Sequence, residues 1–328
     1  MLRWLVVAVA VAGCGGSHWS LPLPALDRVP LSIAERARDD VWTVGGALGS
    51  SGAALMLRYD GSSWRRIDAA TDATLWWVLP LSATSVWAVG ERGTIVRYNG
   101  AALDSALTPP TPLTAATLYG IWGSSDDDLW VVGGEPDLSG VILRRDSAGW
   151  RDVTPAGTGG AFFKVWGSAS DDVFICGQDG ALLHWDGRTL MPQRSGVGRG
   201  TPLFTVAGRA ANDVYAVGGL GNAVVLHWDG AAWSRLSGAP LDDAPQLTGV
   251  AVDRDGSAYL VGSGGAKLRG RAGAWVDETL QATRVDLHAV SLVGGELFTV
   301  GGNYQAPAPT VRQGVVAHFG GDVGSTLR

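Results

Sequence analysis

Short apolar stretches, each closed by a turn of Gly, Asp, Asn or Ser, follow one another from Leu31 almost to the end of the chain. Within them an aromatic residue is repeatedly followed at +2 by a small apolar residue and at +3 by glycine. The set is Trp42/Val44/Gly45, Trp87/Val89/Gly90, Trp130/Val132/Gly133, Phe174/Cys176/Gly177, Tyr215/Val217/Gly218, Tyr259/Val261/Gly262 and Phe298/Val300/Gly301. Successive aromatics stand 45, 43, 44, 41, 44 and 39 residues apart. That period fits one four-stranded antiparallel sheet per repeat, stacked as blades of a ring. The third repeat displays the plan, with apolar runs a, b, c and d at residues 118–122, 129–133, 141–145 and 150–153 separated by polar turns. Both faces of a blade meet neighbours, so the runs are aromatic and branched without clean alternation. The expectation is an all-β, seven-bladed β-propeller of four-stranded antiparallel blades.

Strand c ends in a basic residue, often followed by an aromatic and then a tight turn: Tyr59-Asp60-Gly61, Tyr98-Asn99-Gly100, Trp185-Asp186-Gly187 and Trp228-Asp229-Gly230. Asp-Gly and Asn-Gly tolerate positive φ and so predict hairpins between strands c and d. The seventh repeat has no outer strand after Phe319. Trp19, which lies 12 residues before Leu31 as Trp275 lies 12 before Leu287, is expected to open the missing one and close the ring. The chain thus divides into an export signal over 1–13, an anchor and tether over 14–18, a propeller over 19–321 and a flexible tail over 322–328. Blades fall at 29–67, 74–103, 117–153, 161–194, 202–236, 246–279 and 286–321, the last completed by 19–23.

The amino terminus carries Arg3 and an apolar run over 4–12, too short to span a bilayer. Val11-Ala12-Gly13-Cys14 resembles the lipobox of bacterial lipoproteins, in which the chain is cut before the cysteine and lipid is joined to its sulfur. The resemblance implies lipid on Cys14, a flexible Gly15-Gly16-Ser17 tether and a protein held at the bacterial cell envelope, outer membrane included. Cutting there leaves 24 basic against 31 acidic residues. Such a balance excludes a nucleic-acid partner and an anionic lipid surface as the main partner. Cys176 occupies a position that is Val in the other repeats, which predicts a buried apolar role and no disulfide.

Ile121-Trp122-Gly123-Ser124-Ser125 and Val165-Trp166-Gly167-Ser168, each leading through Asp128 or Asp172 to the aromatic anchor, resemble the Trp-Gly-Ser repeat of propeller lipoproteins of large-genome Gram-negative bacteria. The resemblance runs over about residues 29–321, is strong in repeats 3 to 5 and weakens in repeats 1, 2 and 6. It implies a fold and a compartment, and no active site.

Binding belongs on variable loops carried by a rigid scaffold. From anchor to strand-c basic residue, repeats 2, 4 and 6 count 10 residues and repeats 1, 3, 5 and 7 count 16, 14, 12 and 20. The added length falls in b–c loops, which share one face with the d–a connections. Candidate ligand-binding residues on that rim are Asn303, Tyr304, Gln305, Glu91, Arg92, Glu135 and Asp137, with the stretch 47–54 beside them. The inner strands bring Trp76, Tyr119, Phe163, Phe204, His288 and Lys164 toward the axis, a mostly aromatic set suited to stacking on sugars or peptide side chains. His184, His227 and His318 share the repeat position of Arg58, Arg97, Arg144 and Arg269, which disperses them around the ring and argues against a metal or catalytic cluster. Asp253-Arg254-Asp255-Gly256 lacks the spaced acid of a calcium loop, and the Gly-rich segments at 196–200 and 264–267 lack the context of a phosphate loop. The reading is a monomeric, membrane-anchored module that binds a protein or glycan, with no cofactor, metal or catalysis. The rival is a sialidase-like or lyase-like glycan-active enzyme at the central channel.

Overall fold

The computed structural model describes residues 17–46, 54–104, 113, 115–271, 273–304 and 313–328. They form seven four-stranded antiparallel sheets arranged as a β-propeller. In six blades the strands follow chain order, as in the third: Thr117–Ser125, Asp128–Glu135, Ser139–Asp146 and Gly149–Asp152. The seventh is built from Leu287–Val293, Glu296–Gly302 and Gly314–Gly320, and its outer strand is the N-terminal segment His18–Leu26. Trp19 pairs with Phe319 and Ser20 with His318, so the two ends of the chain close the ring.

The core is divided by interface. Each of seven apolar clusters joins one sheet to the next, as Trp130 and Val132 of the third blade join Phe162, Val165 and Val173 of the fourth. No blade buries its faces alone, which is why the repeats stabilise one another. Leu23 and Leu26 of the closing strand share a cluster with Ile33, Leu55, Trp64 and Phe298, so closure completes the last interface.

The repeat motif now has a steric cause. A Cβ on the +3 glycine would lie 1.9 to 2.5 Å from the carbonyl oxygen at the start of the same blade's inner strand, Val29 facing Gly45 and Pro202 facing Gly218 among the seven. The next residue donates its N–H to that oxygen, as Glu91 does to Thr74 at 3.0 Å. The anchor aromatic sits opposite the basic residue of strand c in all seven blades. Arg58, Arg97 and Arg144 lie over the Trp42, Trp87 and Trp130 rings at 5.2, 5.8 and 5.0 Å, and His184 stacks on Phe174 at 4.1 Å.

The Trp-Gly-Ser string is explained across blades. A Cβ on Gly167 would reach within 2.6 Å of the Trp122 ring, and one on Gly208 within 2.9 Å of the Trp166 ring. Each tryptophan therefore lies over the following blade's glycine, and Ser124 donates to the Asp128 carboxylate at 2.6 Å to tie the a–b turn. The inner strands are also laced together. Ser32 Oγ accepts from the Val78 N–H at 3.2 Å, Thr205 Oγ1 donates to the Thr248 carbonyl at 2.5 Å, and Thr248 Oγ1 donates to the Leu287 carbonyl at 2.6 Å. His288 spans the closure to the Leu31 carbonyl.

The four Asp-Gly and Asn-Gly turns form as expected, with glycine φ of 89°, 100°, 86° and 96° and the Asp or Asn oxygen accepting backbone N–H groups two and three residues on. One end of the chain differs from expectation. Residues 322–328, read from sequence as a flexible tail, run along strand d of the first blade, Trp64–Arg66. Trp64 N–H bonds the Thr326 carbonyl at 2.8 Å, Arg66 N–H bonds the Arg328 carbonyl at 3.1 Å, and Val323 and Leu327 pack on the Trp64 cluster. An open sheet edge beside an apolar face recruits the nearest chain that can pair with it.

Candidate functional site

On each inner strand the ladder slips near its start and leaves one residue unopposed: Leu31, Trp76, Tyr119, Phe163, Phe204, Thr248 and His288. A bulge of this kind re-aims a side chain. All of these except Leu31 line one cavity of about 270 Å³, together with Lys164, Gln246 and Tyr304. Its aromatic wall is made of edge contacts: Trp76 to Tyr119 at 5.1 Å, Tyr119 to Phe163 at 5.5 Å, Trp76 to His288 at 5.6 Å and His288 to Tyr304 at 5.2 Å. A second cavity of about 260 Å³ is bounded by the later part of the inner strands, including Trp77, Trp122, Trp166 and Ser291. Lys164 stands in the wall of both.

Lys164 is 4 % exposed. Its Nζ donates to the Tyr119 carbonyl at 3.0 Å and lies 4.1 Å from the centre of the Trp77 ring. Burial lowers its amine to about 7. Burial, reinforced by the Lys164 charge, lowers His288 to about 3, so its imidazole is neutral and Nδ1 is the donor to Leu31, leaving Nε2 as acceptor. Cys176, opposite Lys164 in the ladder, is fully buried and its thiol is pushed up to about 12 by burial, which makes it an inert packing group.

The residues singled out from sequence separate into two sets. Trp76, Lys164 and Tyr304 converge on the first cavity. Glu91, Arg92 and Asp137 act as ties. Glu91 accepts from the Thr74 N–H at 3.2 Å, and its charge is also felt by Tyr119. Arg92 pairs with Asp72. The Asp137 N–H donates to Gln178 Oε1 of the next blade at 2.9 Å, and Gln178 Nε2 returns a bond to the Asp137 carboxylate. Glu135 ends its strand, and its carbonyl accepts from Leu138. Asn303 Oδ1 accepts from the Gln313 N–H at 2.7 Å. Gln305, Cys14 and residues 47–53 lie outside the described residues.

The short b–c loops of repeats 2, 4 and 6 share one tight turn, with Arg92, Asp179 and Gly264 at φ of 56°, 56° and 64°. Gln246 and Thr248 are cavity residues that sequence reasoning did not single out. The signal was present: Gln246 holds the repeat position of Thr74 and Thr117, and Thr248 that of Trp76 and Tyr119.

Among the described residues no Asp or Glu lines the first cavity, and no three His, Cys, Asp or Glu residues are grouped to hold a metal. The strand-c basic residues lie apart, and four of them pair with an acid of the same blade: Arg58 with Asp40 at 2.8 Å, His184 with Asp172 at 2.6 Å, His227 with Asp213 at 2.8 Å and Arg269 with Glu278 at 3.0 Å. Ser168, Asp172 and His184 do touch, but the carboxylate is the central member, so the histidine cannot take the serine proton. These groups tie strands within single blades.

No family model and no curated protein matches the sequence. Solved structures do match in fold. A structure described as YCF48 bound to D1 peptide superposes with a TM-score of 0.67 at 16 % identity, covering 93 % of this chain and 95 % of that one. YCF48 from Cyanidioschyzon merolae gives 0.66 at 16 % identity over 92 % and 98 % of the two chains. The WD40 β-propeller domain of Doa1 gives 0.68 at 10 % identity over 94 % and 99 %. At these identities the likeness is one of fold.

Proposed function

We propose that this protein is a capture module of the cell envelope: the propeller holds an exposed segment of another protein at its channel mouth, performs no chemistry of its own, and is tethered to a membrane by lipid on Cys14. The observation that carries the reading is the aromatic cavity at the axis, where six inner strands each contribute a re-aimed side chain. Aromatic-lined concavities of this size, just below the usual range for ligand sites, take a small group or one end of a chain. A propeller of the same fold solved with a peptide supports a peptide ligand over a purely structural role. Sugar rings also stack on aromatic faces, yet a glycan needs many hydrogen-bonding groups. The hydroxyl of Thr248 and the Nδ1 of His288 are already engaged with backbone carbonyls. The paired carboxylates of a glycosidase have no counterpart among the described lining residues.

The test is capture from the native envelope with the soluble fragment beginning at Ser17, followed by mass spectrometry. Replacing Trp76 and Tyr304 by alanine should reduce recovery of the captured partner at least tenfold while leaving the fold intact, since both residues line the cavity and neither belongs to a blade-to-blade cluster. Undiminished recovery would reject the cavity as the binding surface. For the anchor, the full chain made in a Gram-negative host should take up labelled palmitate and partition into detergent, and Cys14→Ala should lose both properties. Label retained by that variant would place the lipid elsewhere or abolish the reading.

A further inference from the structure

The two lysines of this chain are both buried, and they differ in one respect. Lys267 Nζ donates to three carbonyls, Gly265 at 2.7 Å, Thr283 at 3.0 Å and Thr279 at 3.3 Å, which uses its three N–H groups. Lys164 Nζ has one such acceptor, the Tyr119 carbonyl, and the face of Trp77. No Asp or Glu among the described residues is near enough to pair with it. A buried ammonium with N–H groups left over is costly unless something completes its shell. Trp76 Nε1, in the wall of the same cavity, is likewise buried without an acceptor among the described residues.

The cavity wall therefore offers the unused N–H groups of Lys164 and Trp76 and one positive charge, beside the neutral His288 and among aromatic faces. The complementary ligand brings acceptor oxygens and a single negative charge on an apolar body. A phosphate dianion would call for several cations or a cradle of backbone N–H groups, and this wall offers one lysine. We propose that the first cavity binds a monocarboxylate carried on a compact apolar body, the carboxylate pairing with the Lys164 ammonium and the body lying against Trp76, Tyr119, Phe163 and Tyr304. The inference rests on the binding reading above and specifies its chemistry: the carboxylate is that of a small free acid or of the terminal residue of a peptide. The depressed amine fits a cation that lacks its counter-ion, and a bound carboxylate would raise it again.

Calorimetric titration of the fragment from Ser17 with 3-phenylpropionate, 3-phenylpropionamide, glucuronate and an N-acetylated tripeptide ending in Phe as the free acid tests this. The two apolar acids should bind at least tenfold more tightly than the amide, and Lys164→Met should remove that difference while still binding the amide. Which of phenylpropionate and the tripeptide binds more tightly identifies the source of the carboxylate. Lys164→Met exchanges a buried unpaired cation for an apolar chain of similar length, so it should melt no lower than the parent at pH 6; a lower melting temperature would mean the lysine is structural and would overturn the assignment. Equal binding of acid and amide, an acid preference that survives Lys164→Met, or a preference for glucuronate would each overturn it too. If acid and amide bind equally and both are lost in Trp76→Ala, the aromatic cavity stands and only the carboxylate assignment falls. If the parent fragment binds none of the four probes, both readings fall.

Discussion

Deleting residues 17–26 is expected to abolish a stable fold. The segment supplies the outer strand of the seventh blade and two leucines, Leu23 and Leu26, that are 5 % and 3 % exposed in the cluster joining the last blade to the first. Burying a leucine contributes about 2 kcal/mol, so two of them contribute about 4 kcal/mol before the strand ladder is counted. Trp19 adds an edge: it contacts Phe319 at 5.4 Å and donates from Nε1 to Glu278 Oε2 of the sixth blade at 2.9 Å. A domain is commonly stable by about 5 to 15 kcal/mol, so the leucines together with the lost strand ladder and Trp19 contacts remove a large part of that margin. It also bares the edge of the Gly314–Gly320 strand, which invites pairing with other chains. A fragment over 27–328 should therefore elute as aggregate and show no cooperative melt by circular dichroism. A monomer melting within a few degrees of the fragment from Ser17 would show that the ring closes without this strand.

Gly218→Ala should be strongly destabilising for so small a change. The added Cβ would stand 2.0 Å from the Pro202 carbonyl oxygen, a backbone atom that also receives the Gly219 N–H at 3.0 Å. Relief requires parting strands a and b at the axis, where the neighbouring blades press on both sides. A cost of about 3 kcal/mol or more is expected, lowering the melting temperature by about 5 °C in a chain of this size. Gly149→Ala is the control. That residue has φ of 108° with nothing within 4 Å of the added carbon, so strain of about 1 kcal/mol is all it should show. Equal losses in the two variants would mean that the close approach is not what selects the motif glycine.

The number of blades, their order and the closing strand were legible because each depends on local signals: strand-length apolar runs, Asp-Gly turns and a glycine wherever the backbone passes a carbonyl. Axis residues were legible for a related reason, since Trp76, Tyr119, Phe163 and His288 hold one repeat position and a ring places equal positions at equal radius. Rim residues were harder. Glu91 and Asp137 look like free acids on variable loops, and in the folded protein Glu91 accepts from the Thr74 N–H while Asp137 is tied to the side-chain amide of the next blade's Gln178. The residue that engages Asp137 lies 41 positions away, and no local pattern marks the pair.

What the amino-acid order determined unaided is the repeating unit and how often it occurs, because strand, turn and close-packing preferences act over a few residues. What only the assembled ring decided is which side chains meet: one-residue slips on the inner strands turn six of them into a shared cavity, Lys164 stands between two cavities without a counter-ion among the described residues, and the last residues of the chain lie along Trp64. Those juxtapositions arise from the curvature of seven stacked sheets, a property of the whole chain that no single repeat contains.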